Sequence, residues 1–148
     1  MSRYIHKSHN VSVLIYHFVC RAKYRKVIFS KEVDETLKNI CLEISKRYEI
    51  SFLEIGTDRD HVHFLIQSVP KYSVIEMIRM IKSITAKKIF EKHPEVKKQL
   101  WGGEFWSDGF FVNTVSKFGS EDTTSKYVRN QGIEKEYKKL HYQEISLL

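Results

Sequence analysis

His61 and His63 are the sharpest chemical feature of the sequence. If the run His61-Val62-His63-Phe64-Leu65-Ile66-Gln67 is a strand, its residues two apart leave one face with Cα atoms about 6.5–7 Å apart. Two imidazoles so placed can converge on one metal ion, since imidazole nitrogen is a common ligand of divalent cations. The same spacing also fits two surface histidines that bind nothing. Tyr127 and Gln131 form a second pair, four residues apart and therefore one above the other on a helical face, about 6 Å along the axis. A phenol is a poor nucleophile unless its electrophile is strongly polarised, and a glutamine amide oxygen can ligate a divalent cation. Taken alone, Tyr127 is one of eight tyrosines and Gln131 an ordinary helix residue. Taken together, two His and one Gln could hold a metal with coordination positions left for phosphate oxygens, and a tyrosyl oxygen could attack the polarised phosphorus.

These residues need elements to hold them. The β-branched and aromatic run VSVLIYHFVC between Asn10 and Cys20 suits a buried central strand. Ser30 is a good N-cap for a helix running to about Tyr48, with Val33, Leu37, Ile40, Cys41, Ile44 and Tyr48 as its apolar stripe. Ile50–Thr57 and His61–Gln67 read as a hairpin across the polar turn Asp58-Arg59-Asp60, ended by Pro70. In that hairpin Val62, Phe64 and Ile66 point away from the histidines, toward packed helices. A second helix is predicted from about Ser73 to Phe90. Its buried face is Val74, Met77, Ile78, Ile81, Ile84 and Thr85, with Arg79, Lys82, Ser83 and Lys87 opposite. The aromatic, glycine-rich segment from Leu100 to Gly109 reads as a structured loop, and Phe110–Val115 as a fourth strand. Gly119-Ser120 opens a third helix, roughly Glu121 to Gln131, stopped by Gly132; the tail after it could be helix or strand.

The order is β-α-β-β-α-β followed by a helix. It predicts an α+β, ferredoxin-like (RRM-like) domain: a four-stranded antiparallel sheet with two helices on one face, plus an extra C-terminal helix carrying Tyr127. With 148 residues and no Pro/Gly/Ser linker, residues 1–148 read as one domain, the tail from about 133 having no assigned role. The fold hosts RNA-binding modules, metal chaperones and enzymes alike, so it does not decide function.

Composition narrows the partners. Twenty-five Lys+Arg against 18 Asp+Glu give a net charge of +7, which favours a polyanion, nucleic acid before a membrane surface. No apolar run approaches the roughly 18 residues of a membrane span and the start lacks an apolar signal core, so a soluble, cytoplasmic protein is expected. Cys20 and Cys41 belong to no CxxC pair and read as buried small hydrophobes. Arg21, Lys23, Arg25 and Lys26, with Tyr24 among them, could clamp phosphates and stack a base, and Arg79, Lys82 and Lys87 could track a hairpin stem. Both clusters also fit a solvated charged face. His17 lies mid-strand and reads as a core or sheet-face histidine rather than a ligand, while His6, His9, His93 and His141 form no pattern.

The run Asp58-Arg59-Asp60-His61-Val62-His63 matches the HuH signature of single-strand-processing endonucleases. Ser125-Lys126-Tyr127-Val128-Arg129-Asn130-Gln131 resembles the single-tyrosine (Y1) helix of the IS200/IS605 family transposases, and the resemblance extends from Tyr16-His17-Phe18-Val19 through Lys23-Tyr24-Arg25-Lys26 to Gln131. It implies that His61, His63 and Gln131 bind Mg²⁺ or Mn²⁺ and that Tyr127 is the nucleophile of a DNA transposase. It further implies a 5′-phosphotyrosine intermediate, single-stranded DNA with hairpins near the element's ends as substrate, and a homodimer whose active sites can be shared between subunits. Two readings of other classes stand beside it: a non-catalytic RRM-like nucleic-acid-binding module, and a histidine-based nucleotide phosphohydrolase. Against the second, Leu65 occupies the next same-face position where that chemistry usually wants a further His, Ser or Thr.

Overall fold

Serine caps start both long helices, and apolar stripes hold them to the sheet. The computed structural model describes residues 14–115 and, as backbone pairing, Ile5–His6, Val11–Ser12 and Tyr137–Lys138. The first strands, β1 (Ile5–His6) and β2 (Val11–Ser12), pair with each other. Next comes β3 (Leu14–Arg21), which ends in a single 3₁₀ turn, Lys23–Arg25. In α1 (Lys31–Arg47) the Ser30 hydroxyl accepts from the Val33 N–H at 3.2 Å. Glu32 and Asp34 in the first turn and Lys46 and Arg47 in the last complement the helix dipole. In α2 (Val74–Lys92) Ser73 and Glu76 form a reciprocal capping box. The Ser73 backbone N–H donates to the Glu76 carboxylate at 3.0 Å and holds it below the usual carboxylate range.

A hairpin, β4 (Ser51–Thr57) and β5 (His61–Ser68), separates the two helices, and a short α3 (Pro94–Gln99) leads to β6 (Phe111–Thr114). The main sheet is antiparallel in the order β6-β3-β5-β4-β7, where β7 is Tyr137–Lys138 at the edge beside β4. Its four longer strands and two long helices are the ferredoxin-like arrangement that the sequence predicts. The third helix expected over Glu121–Gln131 lies outside the described residues. The β1–β2 pair and α3 were not expected, and β7 falls in the tail for which helix and strand were both open; none exceeds six residues, too short for periodicity to register.

Phe18, Val62, Phe64 and Ile66 leave the sheet toward α1 and α2 and join Leu37, Ile44, Met77 and Ile81 in the main core. A bulge between Phe52 and Glu54 lets Phe52 and Ile55, three apart, both enter that core. The loop after α3 is also fixed. Phe105 and Trp106 are buried with ring centroids 4.7 Å apart, and the indole N–H of Trp106 donates to the Thr85 hydroxyl at 2.9 Å. Backbone bonds from Lys23 N–H to Phe105 and from Ser107 N–H to Arg21 fasten this loop along the end of β3. Among the described residues, no helix is long and apolar enough to cross a membrane.

Candidate active site on the histidine face

β5 presents His61, His63, Leu65 and Gln67 on the side away from the core cluster of Val62, Phe64 and Ile66. This side is not a solvated sheet surface. His63 is 3% exposed, Glu54, Gln67 and His17 are buried, and Leu53 and Leu65 form a second small apolar cluster with Ile15 and Val115. His61, at the strand end, remains partly open.

The two imidazoles stand with ring centroids 5.1 Å apart and planes at 68°. Each has a partner on Nδ1. His61 Nδ1 donates to Asp60 Oδ1 at 2.9 Å, and the other oxygen of that carboxylate accepts from Arg25 Nε at 3.1 Å. The hydrogen bond from His61, reinforced by the one from Arg25, holds the Asp60 carboxyl below its usual range. Asp58 Oδ2 lies 3.6 Å from His61 Nε2. His63 Nδ1 lies 2.9 Å from His17 Nε2. Burial lowers the His17 pKa from its ordinary value, and a side-chain hydrogen bond with Asn113 of β6 opposes that shift.

A metal-binding histidine ordinarily engages its other ring nitrogen with a protein group, which fixes its tautomer. The pair fits a divalent cation on that criterion: both Nδ1 atoms are engaged inside the protein, so Nε2 is the nitrogen that would ligate. Among the described residues no group of three or more His, Cys, Asp or Glu side chains could hold a metal ion, so these two histidines are a partial donor set. Tyr127 and Gln131 lie outside the described residues.

The first basic cluster and the histidines share one end of the sheet. Arg21 is the register partner of His61 and is exposed, as is Lys26. Lys23 pairs with Glu104 at 2.7 Å, and that bond raises its pKa. Tyr24 and Arg25 both have positive φ (58° and 54°), a conformation few non-glycine residues adopt. The Tyr24 ring lies 6.2 Å from that of Trp101, their planes 24° apart, and both are well exposed. Gly102, with φ of 108°, makes the turn beside them. The second cluster is not brought to the histidines. Arg79 and Lys87 are exposed on α2, whose buried side packs on the opposite face of the sheet. Lys82 donates to the carbonyls of Ser107 and Gly109 at 3.0 and 2.6 Å, tying α2 to the loop before β6.

Sequence reasoning treated Asp60 only as part of a turn and signature, and passed over Trp101 and Asn113 as site residues. Asp60 had a readable signal, a carboxylate directly before a candidate ligand. Trp101 and Asn113 had none, because their neighbours are set by tertiary contacts.

A family model described as "Transposase IS200 like" matches residues 10–131. The ISDra2 transposase TnpA of Deinococcus radiodurans is 29% identical over 118 residues, 80% of this chain and 84% of that protein. The transposase for insertion sequence element IS200 of Salmonella typhimurium is 29% identical over 102 residues, covering 69% and 67% of the two chains. Among solved structures, a candidate transposase from Deinococcus radiodurans R1 superposes with a TM-score of 0.69 at 26% identity, over 86% of this chain and 98% of that one. A REP-associated tyrosine transposase, solved bound to a REP hairpin, shares the fold with a TM-score of 0.54 at 11% identity, over 86% and 68% of the chains. The chain belongs to the IS200-like transposases, which decides for DNA cleavage and rejoining over the RRM-like and phosphohydrolase readings.

Proposed function

We propose that the protein cleaves and rejoins single-stranded DNA at insertion-sequence ends through a tyrosine-linked intermediate. The observation that carries this reading is the pair His61 and His63 on one side of β5, each with its Nδ1 engaged, beside the Arg21–Lys26 stretch. His61, His63 and Gln131 would hold a Mg²⁺ or Mn²⁺ ion, which when bound would polarise the scissile phosphate. The Tyr127 oxygen attacks phosphorus in line as its proton leaves. The P–O3′ bond breaks, the departing oxygen takes up a proton as a free 3′-hydroxyl, and the 5′ end stays esterified to tyrosine. Attack of a 3′-hydroxyl on that ester rejoins a strand and regenerates the phenol, so no nucleotide cofactor is consumed.

Arg21, Lys23, Arg25 and Lys26 neutralise backbone phosphates next to the histidines, and Tyr24 with Trp101 offers a stacking platform for an unpaired base. Arg79, Lys82 and Lys87 belong to the helical side, so a hairpin stem tracking Arg79 and Lys87 reaches round the sheet edge. The protein works as a homodimer on DNA carrying end hairpins, with Tyr127 supplied either within a subunit or across the dimer.

The test is incubation with single-stranded DNA bearing the flanking end sequences, followed by a denaturing gel. The native protein should form a covalent adduct that EDTA suppresses and Mg²⁺ or Mn²⁺ restores. Tyr127→Phe should form none while still shifting the hairpin in a native gel. Undiminished cleavage by Tyr127→Phe, or nicking that ignores EDTA, would overturn the mechanism.

A further inference from the structure

His17 was expected to be a histidine satisfied within the sheet, and its surroundings give it a more specific task. In the β3–β5 register His17 pairs with Leu65 and His63 with Val19, so the two histidines are diagonal neighbours on one face. Diagonal positions are close enough for ring side chains to meet. Here they meet end to end. The N···N separation is 2.9 Å, the ring centroids are 5.2 Å apart and the planes differ by 11°. One ring radius on each side of that N···N distance accounts for the whole centroid separation, so the hydrogen bond lies within both ring planes. Both residues are buried, 1% and 3% exposed, which removes water as a competing partner and strengthens the bond.

We propose that His17 is a positioning residue that fixes the tautomer and rotation of His63 for metal binding. For His63 Nε2 to offer a lone pair to a cation, the ring proton must sit on Nδ1. That N–H donates to His17 Nε2, which therefore carries its own proton on Nδ1. Asn113, the register partner of His17 in β6, brings its side-chain amide to the His17 ring. The result is a directed link across two strands, His17 to His63, that fixes the ligating nitrogen. His61 gets the same service from a carboxylate, Asp60, at the partly exposed strand end. On the buried face a neutral imidazole does it without adding a charge that burial would penalise. Phe111 packs edge-on to His17 at 6.2 Å and restricts the ring's rotation.

The inference rests on His63 being a metal ligand, and its test separates the two claims. Long-range ¹H–¹⁵N spectra of the full-length, metal-free, histidine-labelled protein report the tautomer directly. Mn²⁺ affinity is read apart from activity from the free-ion paramagnetic resonance signal. The wild type should show His63 protonated on Nδ1 alone. His17→Phe should mix the tautomers and weaken Mn²⁺ binding about ten- to a hundredfold. His17→Gln, which restores an acceptor, should recover most of both. Asn113→Leu gives a second variant if His17→Phe does not fold, and should mix the tautomers of His17 and His63 together. A wild-type His63 protonated on Nε2, or a folded His17→Phe with unchanged tautomer and Mn²⁺ affinity, would overturn the proposal. An Nδ1-protonated His63 in a wild type that binds no Mn²⁺ would overturn the metal reading while supporting the hydrogen-bond link.

Discussion

Val62, Phe64 and Ile66 leave one side of β5 for the apolar core beneath α1 and α2, whereas His61, His63 and Gln67 leave the other. Burial does not distinguish the sides, since His63 and Gln67 are as enclosed as Phe64. What differs is how each is closed. The helix side around β5 is filled mainly by apolar contacts that depend on volume and have no preferred direction, with a few buried hydrogen bonds such as Trp106 to Thr85 among them. The histidine side has only the small cluster around Leu53 and Leu65, and its histidines are held by hydrogen bonds aimed at particular atoms, Asp60 on His61 and His17 on His63. One strand thus carries stability on one edge of its pleat and orientation on the other. A change on either side should show up in a different measurement.

The largest expected effect is on chemistry. His61→Ala or His63→Ala should lower adduct formation by at least about a hundredfold, since altering even a ligand's supporting partner typically costs ten- to a hundredfold. The urea midpoint should move far less than for a core truncation. If either variant unfolds as readily as a core truncation, the division between the sides fails. Phe64→Ala is the counterpart. It should cost about 3–5 kcal/mol in urea unfolding, while the fraction still folded forms the adduct at a near-native rate. Next in size is Trp101→Ala, which should weaken binding of unstructured single-stranded DNA by about 1–3 kcal/mol without changing Mn²⁺ affinity. Equal losses in both would place Trp101 in the metal site instead.

The smallest effect concerns the thiols packed on the helix side. Burial pushes Cys20 up to about 12 and raises Cys41 well above its ordinary value. Both should resist a disulfide reagent at pH 8 in the folded protein and react once urea unfolds it. Above the ordinary thiol pKa the unfolded chain loses these protons while the folded protein keeps them, so stability should fall as pH rises toward 12. Prompt native-state labelling of either thiol would show that the core opens more readily than its packing implies.

Legibility in the sequence followed the same division. Ser30 and Ser73, the apolar stripes of α1 and α2 and the alternation of β5 marked the helix side, because each is a local pattern. The side on which His61 and His63 lie was equally readable. That it is covered was not, since alternation assigns a face without saying what closes it. The role of His17 depends on the β3–β5 register, where a one-residue slip would turn its ring to the other side. The task of Lys82 depends on carbonyls 25 and 27 residues away, which no spacing rule reaches. Tyr127 and Gln131 stood out through a motif, and so remain assignments by resemblance.

The bulge in β4 changes the parity of that strand. Before it Phe52 pairs with Ile66, and after it Gly56 pairs with His63. In an unbroken ladder counted on from Phe52, Ile55 would stand opposite His63 and Gly56 opposite Val62. The extra residue exchanges them: an isoleucine goes to the core, and a residue with no side chain comes to lie across from the histidine. Removing one residue between Phe52 and Glu54 would straighten the strand and keep Gly56 across from His63, whereas straightening it at its present length would bring Ile55 there. An alignment of relatives that places a one-residue gap there therefore trades the bulge for a straight strand and leaves the neighbour of His63 unchanged.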